Sequence, residues 1–261
     1  MYKAATFFDL DGTLFDNDKQ VPPENRQALA ELKANNVLPV IATGRNHWEI
    51  APMLDANHID TLVGANGAYV WYKGEAIVKN VIDTDVLNRV TQVAKEDGLP
   101  IAFYNENTVA ITMKNQMTQN NYKLVHQDQP REDPDFYQKG PVFMFLLFTP
   151  QKPIEADMQA KYEKLFPELT FYRNSPYAID VVNHGVTKAT GIQALLKQPE
   201  LAEATTYAFG DGNNDIPMLE FADYGVAMGN ALPQVAAVAQ FQTTSNLDGG
   251  IVNGLKHYHL I

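Results

Sequence analysis

The chain has 261 residues, which is long enough for one large domain or two ordinary ones. Its 31 acidic and 20 basic residues give a formal net charge of -11, which argues against a nucleic-acid-binding surface but not against an anionic small molecule. No cysteine is present, so disulfides, thiolate catalysis and cysteine-ligated zinc are excluded.

The first part of the chain alternates between short apolar strands and helices. Strands are predicted at 4–8, 37–42 and 61–65, and helices at 22–35 and 47–54. Near-continuous apolar strands separated by helices are typical of a parallel sheet that is covered on both faces. The pattern therefore predicts an α/β fold with a doubly wound parallel sheet.

The pattern changes in the middle of the chain, from residue 81 to residue 185. Three strands and two amphipathic helices are predicted there, at 110–113, 142–148, 177–182, 85–96 and 154–165. The polar stretch 115–135 is expected to be a surface loop with a helical turn. These elements predict an inserted α/β domain.

The first pattern then returns. The predicted elements are three helices and two strands, at 187–196, 215–221, 233–238, 205–209 and 224–226. We therefore predict one core domain from residues 1–80 and 186–261, interrupted by a domain of residues 81–185 that folds on its own.

The sequence also favours a cytoplasmic protein with no membrane partner. The first residues do not read as a basic leader followed by a long apolar stretch and a small-residue cleavage site. The longest apolar run, 142–148, is far too short to span a bilayer and is typical of a buried strand.

Two acidic residues lie just beyond the first strand, where open α/β sheets bind their ligands. Asp9 can attack phosphorus, while Asp11 can protonate the leaving oxygen and later deprotonate water. Gly12 lets the chain turn sharply after them. Taken alone, such an Asp-x-Asp-Gly segment is equally typical of an acidic turn.

A second polar segment follows the strand at 37–42. The hydroxyl of Thr43 and the backbone N–H of Gly44 can hold a phosphoryl oxygen, although an ordinary helix N-cap is the alternative for Thr43. Arg45 either contacts substrate or pairs with an acidic neighbour.

The last part of the chain offers a cation and a second acidic cluster. Lys188 lies in the first turn of a predicted helix, where a positive charge opposes the helix dipole, and binding a phosphate would explain its position. Most lysines on helices are instead solvated. Asp211 and Asp215 offer oxygen ligands to Mg²⁺, and Asn214 can reach the phosphate or support the metal site. A Gly-Asp/Asn turn before an Asp-capped helix is the alternative.

In this order, the four segments resemble the motifs of haloacid dehalogenase superfamily hydrolases of the Cof type, and the resemblance covers the whole chain. Residues 9–13 match the family's Asp-x-Asp-Gly-Thr motif, and Asn66-Gly67 matches a recurrent turn, often near substrate, after the third strand. The resemblance implies that Asp9 is the nucleophile and that Asp11 is the acid/base, whose carbonyl also binds metal. The implied phosphate- and substrate-binding residues are Leu10, Thr43, Gly44, Arg45, Lys188 and Asn214. The implied metal ligands are Asp9, Asp11, Asp211 and Asp215.

These residues predict a phosphatase that uses Mg²⁺ to hydrolyse phosphate monoesters of small metabolites, such as sugar phosphates, through an aspartyl-phosphate. The insertion is expected to be a cap domain that sets substrate specificity. The expected partner is a small phosphorylated metabolite, not a nucleic acid, and the expected state is a monomer or homodimer. Two alternatives stay open: a phosphomutase or phosphotransferase acting on sugar phosphates, and a non-catalytic phosphate-binding regulator.

Overall fold

The structure, a computed structural model, describes residues 1–149, 154–173 and 175–261. The chain divides into two compact units. One comprises Met1–Val78 and Thr187–Ile261, and the other comprises Lys79–Val186. The boundaries at 80/81 and 185/186 that we predict from the sequence lie within two residues of these.

Both units combine strands with helices. The strands of the described residues are β1 (Ala4–Phe8), β2 (Val37–Ala42), β3 (Thr61–Gly64), β4 (Tyr69–Tyr72), β5 (Glu75–Lys79), β6 (Ile101–Tyr104), β7 (Val109–Ile111), β8 (Met144–Phe148), β9 (Leu169–Arg173), β10 (Ala178–Asn183), β11 (Thr205–Gly210), β12 (Tyr224–Ala227) and β13 (Phe241–Gln242). The helices are α1 (Pro23–Ala34), α2 (His47–Ala56), α3 (Thr84–Glu96), α4 (Gln116–Leu124), α5 (Ile154–Leu165), α6 (Lys188–Leu195), α7 (Ile216–Phe221), α8 (Pro233–Ala236) and α9 (Gly250–His257). Among the described helices, none has both the length and the apolar character that crossing a bilayer requires.

The sheet of the first unit has the order β13-β12-β11-β1-β2-β3-β4-β5. From β13 to β3 every neighbouring pair is parallel, as the sequence predicts. The antiparallel pairing of β4 with β3 is not among the pairings that the sequence predicts. Only Ala65–Ala68 separate these two strands, which is too short for the crossover that a parallel pair needs.

Alternate residues of the central strands cover opposite faces of this sheet. Phe8 packs on one face with Leu32 of α1 and Leu255 of α9. Phe7 packs on the other face with Ile192 of α6, among other residues. Because both faces are buried, the strands are apolar along their whole length, and polar side chains collect at the strand ends.

The second unit has its own sheet and its own core. The sheet has the order β7-β6-β8-β10-β9, and all neighbouring pairs are antiparallel. Phe103, Phe145 and Tyr162 are fully buried in its core. The expectation of a surface loop with a helical turn at 115–135 is wrong for α4, which is a nine-residue helix capped by Asn115. Its mostly polar sequence hides the helical period on which the prediction depends.

Candidate active site

Three adjacent parallel strands bring the predicted motifs to one edge of the first sheet. β1 lies between β11 and β2, and all three run in the same direction. Asp9 directly follows β1, Thr43 directly follows β2 and Asp211 directly follows β11. The chain leaves β1 toward β2 on one side, while β11 pairs on the other, which is where doubly wound sheets form a ligand-binding crevice.

Lys188 is the first residue of α6 and joins two of the carboxylates. Its Nζ lies 2.6 Å from Asp9 Oδ1 and 2.6 Å from Asp215 Oδ1. The side chain is fully buried, so the solvated alternative is wrong for Lys188. Burial alone would lower the pKa of Lys188, but Asp215 and Asp9 raise it above its ordinary value. The site therefore contains a permanent buried cation.

The Asp9 carboxylate has one oxygen held and one oxygen open. Asp9 Oδ1 accepts the Lys188 hydrogen bond, whereas Asp9 Oδ2 has no hydrogen-bond partner in the described part of the chain. Burial raises the pKa of Asp9 well above its usual range; Lys188 opposes this rise, and Asp215 and Asp211 add to it. Asp9 thus presents an oriented oxygen whose charge needs a compensating cation.

Asp215 organises the turn before α7. Its Oδ2 accepts hydrogen bonds from the backbone N–H groups of Asp211 and Gly212, each at 2.9 Å, and its Oδ1 accepts from Lys188. Both carboxylate oxygens are therefore engaged by the protein. The turn-and-cap alternative raised by the sequence is partly correct for Asp215, which caps this turn and also anchors Lys188.

Asp211 packs against the loop that follows β1. Thr13 Oγ1 donates to Asp211 Oδ1 at 2.8 Å, and Gly12 lies against the same carboxylate with a φ of +86°. A Cβ added at Gly12 would overlap the Asp211 carboxylate. Burial, with the charge of Asp215, raises the pKa of Asp211 to about 6. Glycine is therefore required at residue 12 for two reasons. It allows the backbone turn, as the sequence predicts, and it avoids the overlap of a side chain with Asp211.

The carboxylates fit a hard divalent cation. Asp9, Asp211 and Asp215 each place one oxygen within 4.8 Å of the others. Carboxylate oxygens are the ligands that Mg²⁺ and Ca²⁺ prefer, and a bound cation would offset the repulsion that raises the pKa of Asp9 and Asp211. The Asp11 carboxylate does not belong to this group. The family resemblance implies that Asp11 binds metal through its backbone carbonyl.

The Asp11 carboxylate instead pairs with two cations. Arg45 Nε lies 2.8 Å from Asp11 Oδ2, Arg45 Nη2 lies 2.9 Å from Asp11 Oδ1, and Lys19 Nζ lies 2.8 Å from the same Oδ1. Burial alone would raise the pKa of Asp11, but the hydrogen bonds and charges of Arg45 and Lys19 lower it to about 2. Of the two alternatives for Arg45, the structure shows pairing with an acidic neighbour. Asp11 is ionised in this arrangement, which is the form that accepts a proton.

Lys19 is a site residue that the sequence analysis misses. It lies in a tight loop in which Asp16 Oδ1 accepts from the backbone N–H groups of Asp18 and Gln20, each at 2.9 Å. Lys19 itself has a φ of +59°. The Asp16-Asn17-Asp18 run is a recognisable signal for such a turn, but nothing local shows that the turn brings Lys19 to Asp11.

Thr43 is buried and does not cap a helix. Its Oγ1 accepts from the backbone N–H of Arg45 at 3.2 Å. The N-cap alternative for Thr43 is wrong, since α2 follows Asn46, whose backbone N–H donates to Glu49 Oε2 at 2.7 Å. The Thr43 hydroxyl hydrogen keeps the capacity to donate to a ligand.

Three other residues that the resemblance implies as phosphate- or substrate-binding are Leu10, Gly44 and Asn214. The Leu10 side chain belongs to the hydrophobic core, so only its backbone can face a ligand. Gly44 is half-buried beside Thr43. Asn214 Nδ2 donates to Asn66 Oδ1 at 2.9 Å, which links the acidic cluster to the turn after β3.

The sequence profile of the haloacid dehalogenase-like hydrolases matches residues 6–255. The chain belongs to this family. The hydrolase is 33% identical over 256 residues to YkrA of Bacillus subtilis (strain 168), a candidate phosphatase, with 98% of this chain and 97% of YkrA covered. The Cof-type resemblance is thereby confirmed. The strand order and the parallel pairings confirm the α/β fold with a doubly wound core.

Two solved phosphatase structures share the fold over nearly the full length. BT1666 from Bacteroides thetaiotaomicron, a phosphatase of the same superfamily, aligns with a TM-score of 0.89 at 27% identity, covering 100% of this chain and 96% of its own. The subclass IIB sugar phosphatase BT4131 aligns with a TM-score of 0.88 at 28% identity, covering 99% and 100%. This chain is an enzyme of the phosphatase class within its family.

Proposed function

We propose that this hydrolase cleaves phosphate monoesters of small metabolites, with sugar phosphates as the leading class, through an aspartyl-phosphate on Asp9 and with Mg²⁺ as cofactor. The observation that carries the proposal is the Asp9 carboxylate, with one oxygen fixed by Lys188 and the other without a protein partner in the described residues. The likeness to the sugar phosphatase BT4131 supports the substrate class.

In the first step, Asp9 Oδ2 attacks phosphorus and the bond from phosphorus to the ester oxygen breaks. The leaving oxygen takes a proton from Asp11, and Lys188 and the Thr43 hydroxyl stabilise the charge on the phosphoryl oxygens. Asp11 must be protonated for this step, whereas Arg45 and Lys19 hold it ionised. The proposed acid role therefore requires Asp11 to leave this pair before the leaving group departs.

In the second step, water attacks the phosphorus of the aspartyl-phosphate and Asp9 is released. Asp11 accepts the proton of that water, and inorganic phosphate leaves. The ionised Asp11 seen beside Arg45 suits this second step.

Asp9 and Asp211 would hold the metal ion, together with the carbonyl of Asp11. Bound there, a divalent cation supplies charge neutralisation that lets a phosphate dianion approach a carboxylate. Asp215 is also implied as a ligand and belongs to the same group of carboxylates, but Lys188 and backbone N–H groups engage both of its oxygens. In this proposal it supports the site by orienting Asp211 and does not bind the metal directly.

The test is a phosphatase assay on metal-stripped protein, first with para-nitrophenyl phosphate and then with a panel of sugar phosphates. We expect no turnover after chelation and recovery on addition of Mg²⁺. Full activity after rigorous metal removal would falsify the metal requirement. Transfer of the phosphoryl group to a second sugar, without release of inorganic phosphate, would favour the phosphomutase alternative. Phosphate binding without any turnover would favour the regulator.

Three further predictions from the sequence belong to this proposal. The unit Lys79–Val186 selects the substrate, the protein acts in the cytoplasm without a nucleic-acid or membrane partner, and it is a monomer or homodimer. Sedimentation of the purified protein measures the last of these, and cell fractionation measures the location.

A further inference from the structure

The turn after β3 adopts an uncommon backbone conformation. Ala65, Asn66 and Gly67 are consecutive and have φ values of +49°, +52° and +99°. Left-handed conformations are uncommon for residues other than glycine, and they persist where the surrounding structure imposes them. Two such residues in succession, both fully buried, therefore call for an explanation.

This turn contacts the segments that are proposed to bind phosphate. The backbone N–H of Asn66 donates to the Thr43 carbonyl and that of Ala65 donates to the Arg45 carbonyl, each at 3.0 Å. A Cβ added at Gly67 would overlap the Thr187 carbonyl, directly before Lys188. The turn is thus fixed both to the segment after β2 and to the start of α6.

The side chain of Asn66 also contacts the acidic segment that follows β11. Asn66 Oδ1 accepts from Asn214 Nδ2 at 2.9 Å. The amide oxygen of Asn214 faces the opposite way, 3.0 Å from the position that a Cβ on Gly212 would take. The second Nδ2 hydrogen of Asn214 has no protein partner in the described part of the chain. The hydrogen bond that Asn214 donates to Asn66 Oδ1 therefore sets which edge of the Asn214 amide is open to a ligand.

We propose that Asn66 is a positioning residue: it orients the Asn214 amide so that its second N–H donates to a phosphoryl oxygen. This inference rests on the proposed function, because it assigns Asn214 a phosphate ligand. Asn66 acts through Asn214 and does not itself contact the reacting atoms.

A purely conformational role for Asn66 predicts something different. In that case asparagine would be present only because it tolerates a left-handed backbone, and glycine would replace it without loss. Asn36 provides a matched control, since it has a φ of +57° in the same unit, is exposed, and donates from its amide to the Met1 carbonyl. Asn36→Gly should leave phosphate binding and turnover unchanged.

The experiment is a double-mutant cycle of Asn66→Gly and Asn214→Ala on the full chain, with Asn36→Gly as control. Two quantities are measured in Mg²⁺ buffer: kcat/KM for para-nitrophenyl phosphate and the Kd for inorganic phosphate. Loss of one oriented hydrogen bond should lower each affinity or rate by about three- to tenfold in Asn66→Gly. The double variant should be no worse than Asn214→Ala alone, because both changes remove the same contact.

Additive losses in the double variant, or an Asn66→Gly protein within twofold of wild type, would overturn the inference. Asn66→Ser replaces Asn66→Gly in the cycle if the glycine variant does not fold, since serine also lacks an oxygen that can reach Asn214. If the wild-type protein binds phosphate but has no turnover, the proposed function is wrong. The Kd values of the double-mutant cycle still test the role of Asn66 in that case. A wild-type protein that binds no phosphate would overturn both.

Discussion

Asp9 and Asp11 are two residues apart, but their surroundings shift the pKa of the two carboxylates in opposite directions. Burial among other carboxylates raises the pKa of Asp9, while Arg45 and Lys19 lower the pKa of Asp11 to about 2 despite its burial. One local sequence motif therefore provides two groups of different chemistry, because Asp9 pairs with Lys188 whereas Asp11 pairs with Arg45 and Lys19.

Replacing each carboxylate by its amide should separate the two roles. Asp9→Asn removes the nucleophile and should show neither turnover nor a phosphorylated enzyme. Asp11→Asn removes the proton donor and acceptor, together with the charge that pairs with Arg45 and Lys19. It should lower the rate by about 10²–10⁴-fold, least for aryl phosphates whose leaving group needs little protonation. Mass spectrometry of the Asp11→Asn protein should find a phosphoryl group on Asp9. An adduct on Asp11, or near wild-type turnover by Asp9→Asn, would contradict the assignment.

Gly12→Ala tests the close contact between the first loop and Asp211. The added methyl group would overlap the Asp211 carboxylate, and the residue would keep a φ near +86°. We expect the free energy of unfolding to fall by about 1–3 kcal/mol and activity to fall at least about tenfold, because Asp211 is displaced.

Gly74→Ala is the matched control for this change. Gly74 has a φ of +91°, but an added Cβ would meet no atom within 4 Å. It should therefore lose stability through backbone strain alone and keep its activity. Urea unfolding and steady-state kinetics on both variants separate the two contributions, and equal activity losses would mean that the Asp211 contact is unimportant.

At the scale of elements, α2 is coupled to β4 by a ring contact. His47 is the first residue of α2, and its imidazole lies 4.6 Å, centroid to centroid, from the indole of Trp71. Burial lowers the pKa of His47, and the charge of Asp55 only partly opposes this effect. The neutral imidazole is thus the form that the folded state favours.

This contact predicts a pH dependence of stability. Below the unfolded value of about 6.5, the unfolded chain binds a proton on His47 more readily than the folded chain does. The free energy of unfolding should therefore fall as the pH decreases through about 6.5. His47→Phe keeps an aromatic ring against Trp71 and removes the titration, so its stability should fall less between about pH 8 and pH 5.5. Urea unfolding at several pH values measures this, and parallel curves for the two proteins would refute it.

The elements that the sequence predicts correctly are those with a strong apolar pattern. β1, β2 and β11 are recognisable because both faces of the sheet are covered. The strands β4, β5, β6, β9 and β13 and the helix α9 are not predicted. Among them, β4 depends on a left-handed turn at Asn66, and β13 has only two residues. Such elements form because neighbouring strands offer hydrogen bonds, and a local pattern does not carry that information.

For the whole molecule, the separate cores predict that the first unit folds without the second. The core of Lys79–Val186 contains residues of that unit only, and the two cores of the first unit contain none of them. Joining Val78 to Thr187 through a short Gly/Ser linker should leave a cooperatively folding protein that cleaves aryl phosphates but discriminates poorly among sugar phosphates. Circular dichroism and the sugar phosphate panel measure the two properties. An unfolded product, or unchanged selectivity, would contradict the proposed division of labour.

The candidate site is predictable from the sequence to the extent that its parts lie at strand ends. Asp9, Thr43 and Asp211 follow three strands whose order brings them together, so their proximity follows from the fold class. The pairing of Asp11 with Lys19 depends on a loop conformation, and the link from Asn66 to Asn214 depends on a tertiary contact. Side-chain pairing of this kind is decided by packing and electrostatics across the fold.

The position of β1 at the centre of its sheet has a consequence for biosynthesis. β2 pairs with one edge of β1. The other edge pairs with β11, which begins only at Thr205, so it stays unpaired until that part of the chain has been synthesised. A chain growing on the ribosome therefore exposes an apolar, unpaired strand edge while the whole of Lys79–Val186 is translated. Exposed strand edges promote association between chains, so nascent chains that end between β10 and β11 should be strong clients of ribosome-associated chaperones.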